Sequence, residues 1–221
     1  VNIPANSTPA NSTPANSTPA NSAPAASASA VQGFTDGVID SQRIFRALMN
    51  AMANPGRVQP VTPVSRPPSP LAPLMADLAL TLCDFETTLW LDPLLDIEPV
   101  RAYLRFETGV RLVTDPQDAA FALIGDAMAM PPFSAFAQGT ADYPDRSTTL
   151  IIAVDGLDSQ GWTFTGPGIR ETVDFRPAPL PDAFAGWLDG NRAQFPLGVD
   201  CVFVARDSLA ALPRSSQIRE A

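Results

Sequence analysis

The side chains able to do chemistry in this 221-residue chain are of few kinds. There are 23 Asp and Glu and 14 cationic side chains, and all 14 are arginine; histidine and lysine do not occur. That removes whole mechanisms at once. A Ser-His-Asp triad, a Cys-His pair and histidine-liganded zinc all need imidazole, while a Walker-A loop and a Schiff base need a lysine amine. Cys83 and Cys201 each sit in an apolar segment, far apart and without CxxC spacing. Fe–S and cysteine-rich zinc sites are therefore excluded, and each thiol should pack as a small hydrophobe. Such usage suits a reducing compartment. No carboxylate cluster stands out, so the sequence predicts no catalytic residue, no metal site and no cofactor.

What remains for binding is arginine and glycine near turns. Arg214-Ser215-Ser216 follows one apolar strand pattern, Gly166-Pro167-Gly168 follows another, and Arg46 lies on a helix. Guanidinium forks hold phosphate, and glycines let backbone N–H groups face an anion. Arg46, Gly166, Gly168, Arg214 and Ser215 are thus the candidate ligand-binding residues, for a phosphate at a dimer edge. The blander readings stay open. Two glycines with no third and no following helix also make a tight turn, and Arg43 and Arg46 also make a solvated helix face. A net charge of −9 leaves no basic face for nucleic acid, and no apolar run approaches the ~20 residues of a membrane span.

The elements that must position these residues begin after a different kind of sequence. PANST recurs at Pro4, Pro9 and Pro14 and decays to PANSA at Pro19. Its Asn-x-Thr triplets follow from the repeat. A segment with so few large apolar side chains cannot repay the entropy of ordering, so residues 1–33 read as a disordered tail. It has no basic n-region or apolar h-region, which points to the cytoplasm. Residues 34–221 read as a single α/β domain. The first helix spans residues 40–53, capped by Asp40 or Ser41, with Ile44, Leu48 and Met52 in one stripe flanked by Phe45 and Met49. A second helix carries Leu71, Leu74, Met75, Leu78 and Leu82, with Pro73 in its first turn. Strands are predicted at 88–91, 110–113, 121–124, 148–154 and 172–175, and helices at 98–106 and 181–194. Residues 162–165 are expected to pair with 148–154, and residues 128–139 to form a short helix or a lid-like loop. Residues 199–205 and 209–212, joined by Arg206-Asp207-Ser208, read as an antiparallel pair that Pro213 ends. Short strands interleaved with helices predict a mixed sheet with helices packed against it.

Three of these segments, in this order, resemble the PhnH family, a component of the bacterial carbon–phosphorus lyase system. They are DSQRIFRALMNAMANPG, FTGPGI, and FPLGVDCVFV followed by LPRSS, with weaker agreement at TLWL and LRFETG. The resemblance runs from Asp40 to about Ile218. It implies a cytoplasmic homodimer in a complex with carbon–phosphorus lyase subunits G, I and J. With G, I and an ATPase-like L, a member of this family supports the displacement of adenine from ATP by a phosphonate, giving ribose 1-methylphosphonate 5-triphosphate. The resemblance further implies a three-layer α/β fold similar to pyridoxal-phosphate-dependent transferases but without the cofactor. A chain with no lysine agrees, since it cannot form the internal aldimine. The rival readings are a phosphate- or nucleotide-binding subunit, and a stand-alone enzyme using Asp and Glu.

Overall fold

A computed structural model describes residues 1–2 and 31–219; most of the expected repeat tail, residues 3–30, lies outside them. The strands are β1 (Gln59–Pro60), β2 (Thr88–Leu91), β3 (Arg111–Val113), β4 (Phe121–Ile124), β5 (Thr149–Ala153), β6 (Gly156–Thr165), β7 (Val173–Ala178), β8 (Asp200–Val204), β9 (Ser208–Leu212) and β10 (Gln217–Arg219). The helices are α1 (Gly37–Ala53), α2 (Pro73–Leu82), α3 (Glu98–Thr108) and α4 (Phe184–Ala193). Seven strands form one sheet in the order β1-β9-β8-β5-β4-β2-β3, and the other three form a second in the order β10-β6-β7. In the large sheet β8, β5, β4, β2 and β3 are parallel, while β9 runs antiparallel to β1 and β8.

The central strands read as unbroken apolar runs because both of their faces are covered. Along β8, Val202 and Val204 join a core with Ile44 and Leu48 of α1, Met75 and Leu78 of α2 and Leu104 of α3. The alternate residues, Cys201 and Phe203, join the core on the other face. That second layer is not helix alone, as the flanking-helix expectation had it. Phe175 of the small sheet and Phe184 of α4 both set their rings on Phe203, at 5.8 and 5.9 Å between centroids. The molecule is thus α/β, with a mixed sheet flanked by helices on one face and by a small sheet and a helix on the other.

Several local expectations need correction. The α1 cap is Asp36, whose carboxylate accepts from Val38 N and Ile39 N, while Asp40 accepts from Thr35 N and Asp36 N. The helix therefore starts earlier than its apolar stripe. The stripe buries Ile44, Leu48 and Ala51, while Phe45 and Met49 are 46% and 41% exposed. Residues 162–165 lie in β6 and pair with β7 and β10, because both edges of β5 are taken by β4 and β8. Of the two forms expected for residues 128–139, the short helix is present, as a 3-10 turn at Phe133–Ala135, and the lid is not: Phe133 and Phe136 are buried, the latter edge-on to Trp90 at 5.6 Å. Among the described residues, Gln32, inside the stretch assigned to the tail, bridges to Arg66.

Candidate functional site

At the amino-terminal edge of the parallel strands, three of the sequence's motifs meet. Gly166 lies at φ 144°, and a Cβ there would stand 2.9 Å from the Ser215 carbonyl oxygen. Gly168 lies at φ 83°, and a Cβ there would meet the Ala53 carbonyl oxygen at 2.4 Å. Ile169 N donates to Gly166 O at 3.1 Å, closing a tight turn between β6 and β7. Both glycines therefore serve close backbone packing: the turn presses on the end of α1 and on the segment after β9. Gly56, at φ 72°, completes the junction by donating its N–H to Ala211 O at 3.0 Å. Arg46 stands apart on the exposed face of α1, about 10 Å along the axis from Ala53 at the ordinary helical rise.

Arg214 is directed inward. Its Nε donates to Asp200 Oδ1 at 3.2 Å and its Nη2 to Asp200 Oδ2, both within an ion pair whose side chains are each 14% exposed. Nη1 donates to Pro144 O at 2.6 Å, Nη2 also to Ser147 Oγ, and the backbone N–H to Asp200 Oδ1 at 2.8 Å. One guanidinium thus ties the start of β8, the approach to β5 and the exit from β9. The structure brings Gly166 and Ser215 together and sets Gly168 on α1, but it commits Arg214 to protein acceptors.

A concavity lies at the opposite edge, where the carboxyl ends of β2, β4, β5 and β8 open into a cleft of about 930 Å³. Ligands of open α/β sheets gather at this edge. Its walls are braced by two buried carboxylates. Asp77, fully buried on α2, accepts from Val64 N and Ser65 N at 2.8 and 2.9 Å. Asp92, 2% exposed just after β2, accepts from Leu95 N, Gly125 N and Asp126 N at 2.8–2.9 Å. Arg66 and Arg206 reach the same cleft with Asp126, Asp155 and Asp207. Sequence reasoning missed this site. The available signal was the polar Arg206-Asp207 turn at the end of the most strongly apolar strand.

The thiols are core groups, as expected. Burial pushes Cys83 up to about 12, with the Asp84 charge adding and a Thr87 hydrogen bond opposing. Burial raises Cys201 well above its ordinary value. Neither is set up as a nucleophile, which needs a depressed pKa. Among the described residues, no group of three or more Cys, Asp or Glu could hold a metal ion, and no helix is long and apolar enough to cross a membrane.

Residues 32–219 match the family model described as bacterial phosphonate metabolism protein PhnH. The chain belongs to the PhnH family. It is 38% identical, over 84% of its length and 93% of the relative's, to the alpha-D-ribose 1-methylphosphonate 5-triphosphate synthase subunit PhnH of Rhizobium meliloti (strain 1021). It is 27% identical, over 80% of its length and 85% of the relative's, to a protein of Stutzerimonas stutzeri with the name putative C-P lyase subunit protein HtxG. The PhnH match begins at the Gln32 bridge and covers both junctions described above.

Proposed function

We propose that the chain is an accessory, non-catalytic subunit of the assembly that makes ribose 1-methylphosphonate 5-triphosphate in phosphonate degradation. The observation that carries this reading is the 38% identity, across most of both chains, to a subunit named for that synthase. The chemistry of the side chains supports it. Displacing a base from a sugar carbon needs an acid or base at the ring and cations for the triphosphate. This chain has no imidazole and no amine side chain, and its motif junctions are spent on packing. It works in the cytoplasm, without a cofactor of its own, as a homodimer joined to subunits G, I and J. Support for such interfaces comes from apolar side chains left on the surface: Val38, Ile39, Phe45 and Met49 on α1, and Phe85 and Phe106 near the β3 edge. The fold is read as that of pyridoxal-phosphate-dependent transferases without the cofactor. Support for this is the seven-stranded sheet with one reversed strand second from its edge. A pull-down from cells grown on a phosphonate as sole phosphorus source tests the reading. It should recover a multi-subunit assembly; recovery of this chain alone would contradict it.

A further inference from the structure

We propose that the cleft at the carboxyl ends of β2, β4, β5 and β8 binds a nucleoside phosphate, with Arg66 and Arg206 on the phosphoryl group and Asp155 and Asp207 on the sugar hydroxyls. The inference does not depend on the accessory role, because it rests on this cleft alone.

The cleft is built and held. Val61 N donates to Asp207 O at 2.8 Å, joining the wall that carries Arg66 to the β8–β9 turn that carries Arg206. Asp155 N donates to Ala178 O at 2.8 Å and fixes the opposite wall. Behind these walls stand Asp77 and Asp92. Burying two carboxylates costs free energy unless each is well hydrogen-bonded, and here every one of those bonds goes to backbone of the cleft's own loops or the turn beside them. Its volume of about 930 Å³ suits an organic ligand.

The charges choose the ligand. Asp126 is occupied in capping a short 3-10 turn, accepting from Met128 N and Ala129 N. Asp155 and Asp207 remain, lining the cleft with Arg66 and Arg206. Among the described residues neither arginine lies within ion-pair distance of a carboxylate, so these four groups do not neutralise one another in contact. A bare anion gains little here, because two arginines share the cleft with three aspartates in a chain of net charge −9. A bare cation meets the arginines. The match is a ligand with an anionic group at one end and hydroxyl donors beside it, since carboxylates accept from sugar hydroxyls and guanidinium forks hold phosphoryl oxygens. A free amino acid has both charges but leaves most of the volume empty. It also leaves Pro63, Pro73, Leu94 and Pro179 uncovered, an apolar surface that a planar base covers.

Calorimetric titration of the full chain with AMP, adenosine and inorganic phosphate tests this. AMP should saturate one site per chain, with adenosine and phosphate each at least tenfold weaker. Arg206→Gln and Arg66→Gln should each weaken AMP at least tenfold with the unfolding midpoint unchanged, since both side chains are exposed. Asp207→Asn should weaken adenosine, which relies on the hydroxyl contact alone, and should not weaken phosphate, from which it removes a like charge. AMP binding no tighter than phosphate, or binding indifferent to both arginine substitutions, would overturn the assignment. Pull-down of the doubly substituted chain separates the two readings: partners recovered without AMP binding in the unsubstituted chain would sink the cleft's ligand and leave the accessory role standing.

Discussion

Replacing Arg214 by Gln leaves Asp200, its side chain 14% exposed, without the charge that faces it. Breaking a mostly buried pair from one side is costly because the remaining charge stays desolvated, and the expected loss is about 2–4 kcal/mol in urea denaturation. A loss below about 0.5 kcal/mol, the range of ordinary surface changes, would show the latch to be ornamental. The buried acids give a pH dependence with a definite sign. Cys83 is raised from 9.0 to about 12, and Tyr103, also chiefly by burial, from 10.0 to about 12. Each holds its proton more tightly in the folded chain. Their contribution to stability is therefore complete below pH 9 and is lost as pH rises from there toward 12. Unfolding free energy measured through that window should fall with pH; a rise would contradict the burial of these groups. At pH 8 a thiol reagent should leave the native chain unlabelled and titrate both cysteines in denaturant.

At the scale of elements, the test is a pair of glycines. Gly168→Ala forces a side chain into a left-handed backbone and against Ala53 O, with a Cβ 2.4 Å away. The expected cost is about 2–4 kcal/mol, and the α1 end and the β6–β7 turn should loosen together in hydrogen exchange. Gly186→Ala, inside α4 with nothing within 4 Å of the new Cβ, should instead stabilise by about 0.5–1 kcal/mol. Equal effects from the two would refute the packing role. The sequence was most legible where local pattern decides structure. The residues of TLWL and FALI are β2 and β4 without shift, and the β8–β9 pair is antiparallel and ends before Pro213. It was least legible where partners come from far along the chain. β1 is two residues among prolines, β10 is three residues of mostly polar character, and β6 extends back to Gly156 because β7 lies beside it. Nothing within residues 162–165 says which strand will take them.

For the whole molecule, the family motifs and the cleft occupy opposite edges of one sheet. The motifs were legible because glycine, proline and arginine are conspicuous residue types; of the candidate ligand set drawn from them, Gly166 and Gly168 pack closely on backbone, Arg214 is paired with Asp200, and Arg46 stands on the exposed face of α1. The cleft was illegible because its walls come from seven separated segments and its braces, Asp77 and Asp92, look like surface residues until both are buried. On the proposed reading the chain gives shape to chemistry that other polypeptides perform. The direct measurement is formation of ribose 1-methylphosphonate 5-triphosphate from ATP and methylphosphonate, with the purified chain alone and with the reconstituted assembly lacking or containing it. No product from the chain alone, with activity of the assembly restored only when the chain is added, is the predicted result. Turnover by the isolated chain, or full activity of the assembly without it, would contradict the account.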